Sequence, residues 1–268
     1  YAAQPNSYRC EFGGQTPEEC AVLCAQSIEE LILFHGPETV AALIAEPVSA
    51  SSMAAVPGSP YWPMIREICD TYGVLLIADE VITGFGRTGQ MFAVEHWDVV
   101  PDLMTVAKGI TSSYLPFAVS IATSSVAEVF AGEKNVFRQA LTFGGHPVCA
   151  RAALTNIEII ESEGLVENSA EMGIYFLDKL KALQETHTII GDVRGLGLLL
   201  GVEIVKNLET KESFPDNSGI AEILNKSFRS HDLILFASNK GISIGPPLCI
   251  QKNEVDYICE AIDKSLTM

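Results

Sequence analysis

Short unbroken apolar runs alternate along this chain with longer stretches whose apolar positions recur every three or four residues. Val40-Ala41-Ala42-Leu43-Ile44-Ala45, Val74 to Ala78, Leu103 to Ala107 and Phe117 to Ile121 are runs of strand length. The first two are unbroken, which predicts strands buried on both faces, and the other two look like further strands. Thr16, Pro17 and Glu19 stand where a helix takes its cap, its first-turn proline and its capping-box acid, predicting a helix to about Phe34. A second helix is expected to begin at Ser59-Pro60 and stop at Gly73. Strands alternating with helices predict an α/β fold with a mostly parallel sheet.

From Pro147 the period becomes helical to about Glu185, with a break at Glu163-Gly164. Beyond Gly191 it changes to short strands over Leu198 to Val205, Leu233 to Phe236 and Ile242 to Ile244. Two helices accompany them, about Gly219 to Ser230 and Glu254 to Leu266. This pattern predicts a smaller α+β domain joined through the long helix. No internal repeat or low-complexity tract interrupts it.

Charge narrows the function classes, since 17 Lys and Arg against 34 Asp and Glu leave a net charge of −17. Such a balance argues against a protein that grips nucleic-acid phosphates. No apolar run reaches membrane-spanning length. The seven cysteines, Cys10, Cys20, Cys24, Cys69, Cys149, Cys249 and Cys259, are odd in number and scattered. That usage points to reduced thiols and a cytoplasmic location. Cys20 and Cys24 lie one helical turn apart without a nearby His, which favours a core position over a metal site. The opening Tyr1-Ala2-Ala3 has neither an initiator Met nor a signal peptide, as expected for a piece of something longer.

Gly84-Phe85-Gly86-Arg87-Thr88-Gly89 matches the spacing of a dinucleotide-binding loop. That loop places its glycines in the first turn after a strand, whereas residues 79–83 intervene here. Asp79 and Lys108 carry more chemistry, because each follows a buried strand at the carboxyl end, where open α/β sheets bind ligands. For an arbitrary Asp and Lys, a salt bridge at the sheet edge is the commoner outcome. A desolvated lysine, however, favours the neutral amine that forms Schiff bases. Pyridoxal phosphate needs this pair, an amine to bind its aldehyde and an acid to keep its ring nitrogen protonated.

Ala45-Glu46-Pro47-Val48, the block from Leu75 through Asp79-Glu80-Val81-Ile82-Thr83 to Gly89, Pro101-Asp102 and Ala107-Lys108-Gly109 together resemble class III aminotransferases. Thr142-Phe143-Gly144-Gly145-His146-Pro147, Val193-Arg194-Gly195-Leu196-Gly197 and Pro246-Pro247-Leu248 are similar to later blocks in the same order. The stretch from Lys108 to Pro116 looks most like the ω-amino acid or amine:pyruvate branch. The resemblance implies a fold type I transferase, with residues 1–160 in the cofactor-binding large domain and 161–268 forming a linking helix and small domain. It further implies a homodimer, an amine donor and an oxo-acid acceptor as small-molecule substrates, and pyridoxal phosphate as cofactor.

On the same resemblance, Lys108 carries the Schiff base and shuttles the proton, Asp79 pairs with the ring nitrogen and Val81 packs under the ring. Thr142 is implied to bond the cofactor phosphate across the subunit boundary, although a plain cap or strand threonine reads equally well. Glu80 either orients the site or bonds backbone, and Arg87 with its glycines shapes the chain nearby. Arg194 has a carboxylate-binding or domain-joining role, or is a surface ion pair. His146 reads as a cap, and His35, His96, His187 and His231 do not cluster.

Two departures concern the cofactor ring and the substrate. Ile82 stands where many class III members have a Gln that contacts the ring hydroxyl. Phe236 stands where ω-transaminases often place an Arg that grips a carboxylate, which implies an apolar amine or ketone or another carboxylate partner. Family chains also carry a portion ahead of the segment that Tyr1 matches, with a Gly-Ser phosphate loop and an aromatic that stacks on the ring. A racemase or aminomutase of the same class, and a non-catalytic fragment, are the alternatives to a transaminase.

Overall fold

The apolar runs pair with one another as the alternation requires. In the computed structural model, which describes residues 1–132 and 134–267, strands β1 (Ala42–Ala45), β2 (Leu75–Asp79) and β3 (Leu103–Val106) lie side by side in parallel. Strand β4 (Val119–Ala122) closes the series antiparallel to β3. The register sets Ile44 beside Ile77 and Asp79 beside Thr105. The sheet is thus mixed and mostly parallel.

Helices α1 (Pro17–His35) and α2 (Tyr61–Tyr72) cover one face of this sheet. In α1 the buried positions Cys20, Cys24, Ile28 and Ile32 recur every fourth residue and form a stripe. They pack with Trp62, Ile65 and Cys69 of α2 and with Leu76 and Ala78 of β2. Thr16 Oγ1 accepts from the Glu19 N–H at 3.1 Å, as expected of the cap. The Glu19 carboxylate accepts from the Gln15 N–H at 2.8 Å, one residue earlier than a capping box requires. Gly73 ends α2 at φ 66, a left-handed turn suited to glycine.

The expectation of burial on both faces fails at β1, where Ile44 is 59% exposed, and at β2, where burial alternates. An unbroken apolar run identifies a strand but does not state how many layers cover it. Parallel neighbours at the same register share a face, so Ile44, Leu75, Ile77 and Asp79 lie on the less covered side. A short helix α3 (Ser124–Glu128), which the apolar period does not foretell, follows β4. Helix α4 (Pro147–Ser162) completes the first unit, which comprises residues 1–47, 57–86 and 90–164.

The second unit takes in residues 48–56, 87–89 and the chain from Leu165 on. Two of its segments are therefore excursions from within the first unit, which a division into contiguous ranges does not express. Strands β5 (Ile190–Leu196), β6 (Leu199–Ile204), β7 (Phe236–Ala237) and β8 (Gly241–Ile244) form an antiparallel sheet in the order β5-β6-β8-β7. Helices α5 (Leu165–Thr186), α6 (Ile220–Ser230) and α7 (Lys252–Leu266) supply the core with Phe176, Leu180, Phe228 and Ile262. Strand β6 is buried along its whole length. All seven cysteines are free thiols. Among the described residues no helix is long and apolar enough to cross a membrane.

Candidate active site

Asp79 is the last residue of β2 and is held by its neighbours. Its Oδ1 accepts from the Val81 N–H at 3.1 Å and from Thr105 Oγ1, on the adjacent strand, at 3.2 Å. The Glu80 N–H donates to the Thr105 carbonyl at 2.9 Å, which extends the ladder one residue past the strand. Among the described residues no donor reaches Asp79 Oδ2, so one carboxylate oxygen remains available for a ligand N–H.

Glu80 is 0% exposed. Its Oε2 accepts from the Thr83 hydroxyl and its Oε1 from the Val94 N–H at 2.9 Å. Burial pushes its carboxyl up, against those hydrogen bonds, which pull it down. Glu80 thus fastens the loop leaving β2. That loop doubles back, with the Gly84 N–H donating to the Glu80 carbonyl at 3.0 Å and the Phe85 N–H to the Met91 carbonyl at 2.7 Å. The glycine motif opens no helix and forms a tight turn instead, with Phe85 at φ 61 and Gly86 at φ 88. A Cβ added to Gly109 would stand 3.1 Å from the Gly84 carbonyl and 3.2 Å from Phe85 Cβ. The glycines therefore let the loop carrying Asp79 approach the turn carrying Lys108.

Lys108 follows β3 by two residues, at the same end of the sheet as Asp79. Its backbone has φ 36, a left-handed conformation that is rare for a side chain of this size. Against expectation Lys108 is exposed, and no ion pair joins it to Asp79 among the described residues. Lys108 stands on a turn beyond the strand end. An acid with an open oxygen and an unpaired primary amine, at the same end of adjacent parallel strands, is a donor set that fits pyridoxal phosphate.

The remaining candidates are more scattered. Val81 is half-buried and gives Asp79 its backbone N–H. Thr142 is exposed in the turn before α4, between Leu141 and Phe143, which are 69% and 82% exposed. Phe236 belongs to the second unit, exposed on β7 beside Ser243 of β8. Arg194, also in the second unit, is engaged on three sides. It donates to Asp192 and Glu203, each at 2.6 Å, and to the Ser52 carbonyl at 2.9 Å. Arg87 donates to the Leu198 and Pro246 carbonyls at 3.1 and 2.5 Å within the same unit. An open cleft of about 670 Å³ borders the lysine turn, lined by Thr111, Tyr114, Leu115, Val148, Arg151 and Asn156. It does not include Asp79 or Lys108.

Comparison with known proteins decides among chemistries that fit such a site. Residues 3–266 match the family model for class-III aminotransferases. The chain belongs to the class III aminotransferase family. Taurine–pyruvate aminotransferase of Bilophila wadsworthia is 40% identical over 97% of this chain. An (S)-enantioselective ω-transaminase from Thermomicrobium roseum shares 41% identity and superposes with a TM-score of 0.94 over 98% of the chain. An amine transaminase from an uncultivated Pseudomonas species, solved with pyridoxal phosphate bound, gives 33% identity and a TM-score of 0.96 over 99% of the chain. The chain spans 59%, 58% and 61% of the length of these three proteins.

In this class III aminotransferase chain, two residues near the site were not singled out from the sequence. Thr105 sits inside an apolar run and is noticed only once the parallel register sets it beside Asp79. Asn156 lies on α4, with nothing local to mark it, and its side chain reaches the backbone of the lysine turn.

Proposed function

We propose that this chain provides the cofactor lysine and acid of a fold type I pyridoxal-phosphate-dependent transaminase that moves an amino group from an ω-amino acid or other amine to an oxo acid such as pyruvate. The observation that carries this reading is the pairing of Asp79 and Lys108 at the carboxyl ends of neighbouring parallel strands, with one Asp79 oxygen open. Residues 1–160 then belong to the cofactor-binding domain, and 161–268 to the linking helix and small domain.

When bound, pyridoxal phosphate supplies an electron sink that makes the hydrogen on the donor's amine-bearing carbon acidic. Lys108 would hold the cofactor through its amine and, once released from it, would take the proton from that carbon. Asp79 would use its open oxygen to keep the ring nitrogen protonated, while Thr105 and the Val81 N–H fix the other. Val81 would pack beneath the ring, and Thr142 would bond the phosphate bound by a second copy of the chain. The exposed apolar side chains Leu141, Phe143 and Val148 around Thr142 support that homodimer. Phe236, aromatic rather than cationic, favours an apolar amine or ketone on the substrate side. Arg194 is neutralised by two carboxylates and is assigned to shaping the second unit rather than to gripping substrate.

The test is the Lys108→Ala variant of the full-length protein, assayed for amine-dependent conversion of pyruvate to alanine. Loss of turnover is expected, and turnover equal to that of the parent overturns the reading.

A further inference from the structure

The turn that carries Lys108 holds three non-glycine residues in left-handed backbone, Lys108 at φ 36, Ser112 at φ 48 and Ser113 at φ 61. Such conformations persist only where surrounding structure over-determines them. Part of the restraint is internal. The Ile110 N–H donates to the Ala107 carbonyl at 3.0 Å, and the Ser113 N–H to the Lys108 carbonyl at 3.0 Å. The rest comes from α4. Asn156 Nδ2 donates to the Gly109 carbonyl at 2.8 Å and to the Ile110 carbonyl at 3.2 Å. Asn156 Oδ1 accepts from the Ser112 hydroxyl at 2.7 Å. Turning the amide over would set its oxygen against two carbonyls, so this network fixes its orientation.

We propose that Asn156 is a positioning residue for Lys108, a three-point clamp that holds the left-handed turn and so sets where the lysine amine points. This rests on the reading of Lys108 as the cofactor lysine. Backbone at 109 and 110 is the first chain after Lys108, so its freedom becomes freedom of the amine. Gly109 also abuts the Gly84–Phe85 turn. The lysine turn is therefore held twice, by packing against the Gly84–Phe85 turn and by a side-chain amide from α4.

The experiment measures amide hydrogen exchange over residues 109–115 in the full chain. It also follows the capture of pyridoxal phosphate at Lys108 as a function of pH, by borohydride trapping and peptide mass spectrometry. Asn156→Asp keeps the acceptor for Ser112 and removes both donors. It is expected to raise exchange over 109–115 by about 10-fold or more, the loss expected for two hydrogen bonds, and to slow capture with an altered pH profile. Asn156→Gln restores an amide and recovers part of both effects. Ser112→Ala, a milder change at an exposed site, shifts both in the same direction by less. Asn168→Ala removes a comparable clamp in the second unit, on the Leu248 and Ile250 carbonyls, and should leave both readouts unchanged. The proposal is overturned if exchange over 109–115 is unaltered in Asn156→Asp, or if capture and its pH profile match the parent despite faster exchange. Absence of capture in the parent chain instead overturns the reading of Lys108 itself.

Discussion

A carboxylate can serve a ring nitrogen only if its own neighbours hold it still and leave it one oxygen. Asp79 meets that condition through Thr105, which gives a direct prediction. Thr105→Val keeps the strand's shape and removes the donor. A hydrogen bond to a charged group contributes about 1.5 kcal/mol, so cofactor retention should weaken by roughly tenfold, read as pyridoxal phosphate dissociation by absorbance. Glu80 gives a second, through pH. Burial raises its carboxyl in the folded chain, so the folded state keeps the proton to higher pH than the unfolded state. The stability it contributes is full below the ordinary carboxyl range and is lost as pH rises through the raised folded value. Glu80→Gln is neutral throughout, and an amide can accept from the Val94 N–H while donating to Thr83. The melting temperature of the variant should therefore gain on the parent from acid to neutral pH, and a constant difference would contradict this. Asp79, Glu80 and Lys108 were legible in the sequence because each follows an apolar run. Thr105 and Asn156 were not, because their roles depend on register and on a helix far along the chain.

At the scale of elements, hydrophobic period located most helices and strands, and its misses have local causes. Strand β5 contains Gly191, Asp192, Arg194 and Gly195, which dilute the apolar signal. It forms because β6, buried throughout, offers it a full antiparallel edge, with Arg194 held by carboxylates on both strands. Strand β7 begins at Phe236, where the apolar run from Leu233 ends, since pairing with Ser243 and Ile242 rather than hydropathy sets its limits. Helix α5 supplies a prediction that local propensity gets backwards. Replacing a helical glycine by alanine ordinarily stabilises by about 1 kcal/mol. A Cβ on Gly173, however, would fall 2.4 Å from the carbonyl carbon and oxygen of Gly197. Gly173→Ala should therefore destabilise by about 1–3 kcal/mol, seen as a lowered denaturant midpoint. An unchanged or raised midpoint would refute the close packing of α5 on that turn.

At the scale of the whole molecule, a net charge of −17 coexists with apolar side chains that stand in the open. Ile44 and Leu75 lie on the less covered face of the parallel sheet, and Leu141, Phe143 and Val148 flank Thr142. Patches of this kind are the usual mark of surfaces that meet other protein. If the second group belongs to the proposed homodimer, Phe143→Glu in the full-length protein should weaken self-association, since it buries a charge without a partner. Sedimentation velocity would register a shift toward monomer, and an undisturbed dimer would remove that face from the interface. The acidic surface works in the same direction, because repulsion between like-charged copies must be outweighed by apolar burial.

The sequence by itself determined the alternation of strands and helices, the lysine and the acid to propose for the site, and the family to which their blocks belong. Those are local properties, written in apolar period, turn residues and contiguous motifs. Only the tertiary structure decided that Thr105 steadies Asp79, that Asn156 grips the lysine turn, that Arg194 is already neutralised and that one face of the sheet is sparsely covered. Each of these depends on which residues a fold brings side by side across long stretches of chain, and neither period nor motif spacing contains that distance.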